Sequence, residues 1–171
     1  LLVSTGPTCA SVVRLLAALH AGYDVLPLGR PSRVGLVLPP GAMRGTVAAL
    51  IADEADPLAP HLTAAGIRMT PETALASVAG WRPPERPGSV LLQTSGTTGA
   101  PKAATLPMRG FAALLDQLST RLPLRPTDVL LSPLPVHHSY GLCNVLHALA
   151  NGATLRLGLP MLTPDELAHD I

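Results

Sequence analysis

Apolar positions along the chain switch repeatedly between short continuous runs and helical spacing. Leu1–Val3 is a continuous apolar run, as a buried strand requires. Val12, Val13, Leu15, Leu16 and Leu19 then recur on one face, which predicts a helix with Thr8 or Ser11 as its N-cap and Gly22 as its stop. Val25–Leu28 and Val34–Leu38 are strand-like runs separated by the turn residues Gly29, Pro31 and Ser32. A second helix is predicted over Ala42–Ala52, where Met43, Val47, Leu50 and Ile51 share a face. Asp56–Arg86 is punctuated by Pro, Ala and Gly. It leaves room for a short helix near Leu58–Ala65 and a strand at Ile67–Met69, before a stiff connector near 83–87 built on Pro83, Pro84 and Pro87.

The second half has sharper boundaries. Val90–Thr94 predicts a strand, Ser95–Lys102 a polar loop and Ala103–Leu106 another strand. A helix is predicted over Gly110–Leu122, with Phe111, Leu114, Leu115 and Leu118 on one side. Val129–Ser132 follows as a strand, Pro133–Ser139 as a turn-rich loop, and Tyr140–Ala150 as a helix stopped by Asn151-Gly152. Thr154–Leu157 is again strand-like. Thr163-Pro164-Asp165-Glu166 is a capping box with Pro at the first helical position, and the chain ends a few residues into that helix. Strands alternating with helices predict an α/β fold. No internal repeat is visible.

Composition narrows the function classes. A length of 171 residues suits one domain of the usual ~100–200. Charged residues are 13% against a usual ~25%, the net charge is +1, and no basic run occurs, which excludes a nucleic-acid partner. With 47% hydrophobic residues, and Gly and Pro below the ~25–30% share of low-complexity chains, a packed core is expected. Two cysteines, Cys9 and Cys143, cannot build a disulfide framework, so a reduced, cytoplasmic setting is expected. Val129–Leu155 is uncharged, but Pro133, Pro135, His137, His138, Asn144, His147 and Asn151 argue against a membrane span. Leu1–Val13 has neither initiator Met nor charged leader. It is not read as a signal peptide, and both ends are expected to have been cut from a longer protein.

Ser95-Gly96-Thr97-Thr98-Gly99-Ala100-Pro101-Lys102 carries the chemistry. Its glycines let the backbone approach an anion, its hydroxyls add donors, and successive N–H groups can form an anion-binding nest. It is not a Walker loop, because Ala100 and Pro101 separate the second Gly from the Lys. Lys102 is the only lysine of the chain; every other Lys/Arg position is arginine. A flexible surface turn is the bland alternative. The lone Lys and the flanking strand favour phosphate binding.

Leu92–Ala103 resembles the signature loop of the adenylate-forming superfamily, the AMP-dependent synthetases and ligases that include acyl- and aryl-CoA synthetases. The resemblance implies phosphate contact for Thr94, Ser95, Gly96, Thr97, Thr98, Gly99 and Lys102, with Lys102 in a catalytic role. Leu131–Leu142 is similar to the family's P-L-F-H-x-x-G-L stretch, which implies a carboxylate-side pocket bordered by His138, Tyr140 and Gly141. His138 stands where the amino-acid-activating branch carries an aromatic-Asp pair, so an acid without an α-amino group is implied. Asn151–Leu155 and Ala21–Leu28 resemble further family segments. The chain departs from the pattern at Gln93, Ala103 and Pro107-Met108.

What the resemblance implies is an incomplete AMP-binding N-terminal domain over 1–171. Its parent would be an ATP-dependent ligase of a small-molecule carboxylic acid, forming acyl-adenylate and pyrophosphate and then a thioester with CoA or a carrier-protein pantetheine. The family's Mg²⁺-holding Glu, ribose-binding Asp and C-terminal catalytic Lys have no counterpart among these 171 residues. The Mg²⁺ ligands are therefore expected downstream, and the piece alone is expected to be inactive. The alternative is a non-catalytic nucleotide- or phosphate-binding remnant of the same fold. Other candidates read as structural: His137 and His138 diverge as neighbours and do not suit a metal pair, His147 and Cys143 suit helix packing, and Asp53-Glu54-Ala55-Asp56 suits a solvated helix end.

Overall fold

A computed structural model describes residues 1–29, 48–51, 55–71, 85–94 and 102–157. The chain begins in β1 (Leu2–Ser4) and rises into α1 (Cys9–His20). Thr8 is the N-cap, its hydroxyl accepting the Ser11 N–H at 3.2 Å, while the Ser11 hydroxyl donates back to the carbonyls of Gly6 and Thr8. Val12, Leu15, Ala18 and Leu19 are buried at helical spacing. The helix closes where the N–H groups of Ala21 and Gly22 bond the carbonyls of Ala17 and Leu19.

The chain then returns parallel to β1 as β2 (Leu26–Leu28), with Leu2 opposite Leu26 and Ser4 opposite Leu28. On the other edge of β1 lies β3 (Ala48–Ile51), followed through α2 (Ala59–Ala64) by β4 (Arg68–Pro71). The resulting parallel sheet has the order β2-β1-β3-β4, so the direction of winding reverses at β1. Beyond β2 comes β5 (Ser89–Thr94), joined by a parallel bridge between Val25 and Val90. Val25 donates to Ser89 and accepts from Leu91, and the Asp24 carboxylate accepts the Ser89 N–H at 2.9 Å. Pro27 has no N–H for the next rung, so this ladder stays short.

Antiparallel to β5 runs β6 (Lys102–Pro107), which leads into α3 (Met108–Arg121). A second parallel pair, β7 (Val129–Leu131) and β8 (Thr154–Arg156), is connected by α4 (Ser139–Ala150). The alternation of side chains along the strands divides the core. Leu2, Leu26, Leu28, Ala49 and Ile51 pack with Leu58 and Leu62 on the α2 side. Val3, Val25, Val90 and Leu92 pack with Leu15 and Leu19 of α1, Phe111 of α3, and Leu142 and Val145 of α4. The architecture is α/β, as the alternation of patterns predicts.

One predicted element is corrected. Within the expected helix Ala42–Ala52, residues Ala48–Ile51 form a strand. Four apolar residues in a row fit a buried strand as well as a helix. The register decides: Ala49 and Ile51, 1% and 2% exposed, enter the same cluster two residues apart, which a helix would point to opposite sides. Residues 42–47, the run Val34–Leu38, Pro83, Pro84 and the capping box at 163–166 lie outside the described residues. α3 starts at Met108, before the expected Gly110, and buries only Phe111. Among the described residues no helix is long and apolar enough to cross a membrane.

The division of the core sets an expected outcome. Leu15→Ala should destabilise the fold by about 2–5 kcal/mol, because it empties a fully buried position in the core cluster that α1 shares with the sheet, α3 and α4. Val13→Ala, at a position 61% exposed on the same helix, should change stability by less than ~0.5 kcal/mol. Urea unfolding followed by circular dichroism measures both. Equal losses would mean that α1 presents a different face to the sheet.

Candidate functional site

Two sets of side chains collect beyond the C-terminal ends of the parallel strands, where open α/β sheets place their ligands. The first is the end of the β5–β6 pair at Thr94 and Lys102. Thr94 and Lys102 stand directly opposite in the antiparallel register, and the Thr94 hydroxyl lies 3.4 Å from the Lys102 carbonyl. Lys102 is therefore the first residue of β6, not the last of a loop. Both side chains are exposed. The ladder pins both ends of the segment 95–101. That segment, with Ser95, Gly96, Thr97, Thr98 and Gly99, lies outside the described residues.

The second set is the loop from β7 to α4. The Ser132 N–H bonds the Arg156 carbonyl at 3.0 Å, which carries the β7–β8 pairing one residue further. Val136 is buried in the core below. His138 is the N-cap of α4 in extended conformation; its N–H bonds the Pro135 carbonyl, and its own carbonyl accepts from Leu142 at 3.0 Å. Gly141 sits so close to the Pro135 carbonyl that a Cβ there would overlap it, so the first turn of α4 can close onto the loop only with glycine. Of the expected pocket residues, His138 and Tyr140 are exposed, Tyr140 at 67%, while Gly141 is buried beneath them. The three share the start of one helix.

A cavity of about 400 Å³ lies beside this loop, between the ends of β1 and β7. Thr5, Gly6, Pro133, Leu134, Val136 and His137 are among the residues that line it; His138, Tyr140 and Gly141 are not. Thr5 is anchored through its hydroxyl, which donates to the Leu28 carbonyl at 2.9 Å. Ser132, also on the wall, is 2% exposed, and its hydroxyl has no hydrogen-bond partner among the described residues.

His137 is the residue that sequence reasoning passed over. Its imidazole occupies the space a Cβ would fill at Gly29, just past the end of β2. Its ring centroid is 4.3 Å from that of His138, at a 45° tilt. Burial first, and then the neighbouring His138, lower its pKa from 6.5 to about 4, so it is neutral at physiological pH. Among the described residues no three His, Cys, Asp or Glu side chains gather as a metal site. Both Cys9 and Cys143 are free thiols, and burial raises the pKa of Cys143.

The sequence model of the family described as AMP-binding enzyme matches residues 57–171. The chain belongs to the AMP-binding enzyme family. Within the adenylate-forming superfamily it is acyl-CoA synthetase-like. It is 42% identical over 67 residues to the mitochondrial malonate–CoA ligase ACSF3 of Mus musculus, a match that covers 39% of this chain and 11% of that protein. A solved malonyl-CoA ligase with methylmalonyl-CoA and AMP bound superposes with a TM-score of 0.71 at 26% identity, over 99% of this chain and 36% of that one. ATP-bound MatB from Rhodopseudomonas palustris gives 0.70 at 20% identity, over 98% and 36%, and shows the fold alone. The chain thus spans about a third of the length of these solved relatives.

The neutral His137 carries a pH dependence. Its folded pKa of about 4 lies below the ordinary 6.5, so between those values the unfolded chain takes up a proton that the folded one resists. The associated stability should be complete above pH 6.5 and lost as the pH falls towards 4. The His137 Cε1–H resonance should titrate near pH 4, and His137→Phe should flatten that part of the stability profile. A titration midpoint above 6 would put the ring in water.

Proposed function

We propose that the chain supplies the phosphate loop and part of the acid site of an ATP-dependent carboxylate ligase. The single observation that carries the reading is the pairing of Thr94 with Lys102, which brings the chain's only lysine to the mouth of the Gly/Thr segment 95–101. Family membership and the acyl-CoA synthetase-like relatives support it. In this reading 1–171 is an incomplete AMP-binding domain, and the stretch by itself is inactive.

The substrate carboxylate attacks the α-phosphorus of ATP, the bond to the β,γ-phosphates breaks, and acyl-AMP and pyrophosphate result. Thr94, Ser95, Gly96, Thr97, Thr98 and Gly99 cradle the departing phosphates. Lys102 follows the charge that grows on the bridging oxygen. Mg²⁺, held by residues outside the described ones, would share that neutralisation. His138, with Tyr140 and Gly141 on the same turn, borders the carboxylate.

A thiol then displaces AMP from the acyl carbon to give a thioester. The acceptor is CoA or the pantetheine of an acyl carrier protein; the relatives named for CoA ligation support the former. Relatives named for malonate support a small acid. The free thiols of Cys9 and Cys143 suit a reducing compartment, with the cytoplasm as the proposed setting.

In the full-length ligase, Lys102→Ala should slow adenylate formation by roughly 30- to 1,000-fold, about 2–4 kcal/mol of transition-state stabilisation. Thioester formation from pre-made acyl-AMP should be almost unchanged, because no pyrophosphate leaves in that step. Timing the two half-reactions separately decides the point. Equal slowing of both, or of neither, would return Lys102 to a solvated turn and favour a non-catalytic remnant.

His138→Ala in the same enzyme should raise KM for the acid more than KM for ATP. Steady-state kinetics with each substrate varied in turn gives the comparison. Equal changes would assign His138 only to the start of α4.

A further inference from the structure

One imidazole adjoins both a cavity and the His138 ring at this end of the sheet. On one side is His138, exposed at the start of α4 and proposed above to border the carboxylate. On the other is the cavity of about 400 Å³, large enough for a small-molecule pocket of the usual ~300–1,000 Å³. His137 belongs to both: it lines the cavity, and its ring centroid lies 4.3 Å from that of His138. The remaining wall is largely apolar, with Pro7, Pro133, Leu134, Val136 and Leu157. The ring is held in place because Gly29 has no side chain where the imidazole sits.

We propose that His137 is a specificity-determining partition, closing an apolar cavity off from the carboxylate site and so restricting the enzyme to short acids. The inference rests on the assignment of His138 to the carboxylate. Its physical basis is volume. An acid whose carboxylate lies at His138 meets the His137 ring before it reaches the cavity, so added methylenes find no room. With the ring gone, each methylene that becomes buried should raise kcat/KM about fourfold. A neutral imidazole can wall an apolar space without the desolvation cost of a charge.

The test compares kcat/KM across the straight-chain acids from propanoate to octanoate, and across malonate and its alkyl-substituted homologues. Acid-dependent ATP–pyrophosphate exchange by the full-length ligase is the readout. His137→Ala should raise the ratio of long to short acids by ~10-fold or more, since two or more methylenes gain burial. His137→Phe, which fills the same space without the polar nitrogens, should keep the wild-type ratio. Thermal unfolding of each variant establishes that it is folded. If His137→Ala does not fold, His137→Val removes less volume and should shift the ratio in the same direction. A folded small-residue variant with an unchanged ratio overturns the partition. So does His137→Phe shifting the ratio as much as His137→Ala, because volume would then not be the variable. Wild-type enzyme without exchange on any acid of either series would overturn the ligase reading itself, an outcome distinct from an unchanged ratio.

Discussion

Backbone hydrogen bonding along both edges of β1 is the constraint on which the other parts of the molecule depend. Each residue of β1 has one N–H and one carbonyl, and parallel neighbours occupy both sides: β2 from Leu2 to Ser4, β3 at Leu2 and Val3. A strand paired on both edges is central, and its side chains must go to opposite faces. Leu2 therefore enters the cluster that α2 covers, and Val3 enters the one shared by α1, α3 and α4. A shift of β1 by one residue would exchange these faces and empty both clusters.

The same constraint places the chemistry. Parallel strands bring all their C-terminal ends to one side, and the loops leaving them are the segments that carry the candidate side chains. Thr5 and Gly6 follow β1, Gly29 follows β2, and Thr94 closes β5. The loop after β7 meets Thr5 and Gly6 at the cavity. Two environments result. At the end of the β5–β6 pair, Thr94 and Lys102 are exposed to water. The cavity is lined largely by prolines and aliphatic side chains, and the imidazole on its wall is uncharged. The exposed hairpin end and the apolar cavity beside the β7–α4 loop are thus different environments.

Close approach at two glycines positions the β7–α4 loop. At Gly29 and Gly141 a Cβ would intrude, at one on the His137 ring and at the other on the Pro135 carbonyl. The first contact sets the β7–α4 loop against the end of β2, and the second sets it against the first turn of α4. Close packing of this kind transmits even small changes in volume, so the contact between Gly29 and His137 is sensitive to substitution at either position.

The sequence by itself determined the elements with a strong period and clear stops: the α1 stripe from Val12 to Leu19, the strand ending at Thr94, and the helix closed by Asn151-Gly152. It also exposed the Gly/Thr segment and its lone lysine, because glycine spacing and residue choice are local properties. Tertiary structure decided what local pattern leaves open. Ala48–Ile51 is a strand because β1 and β4 pair with it on either edge, and four apolar residues carry no period of their own. Lys102 opens β6 because the ladder with β5 continues to Thr94, which depends on a partner strand. His137 gained its importance from Gly29, distant in sequence and adjacent in space, and from a cavity whose walls come from both halves of the chain. Periodicity records which residues turn inward; only packing settles which of them meet.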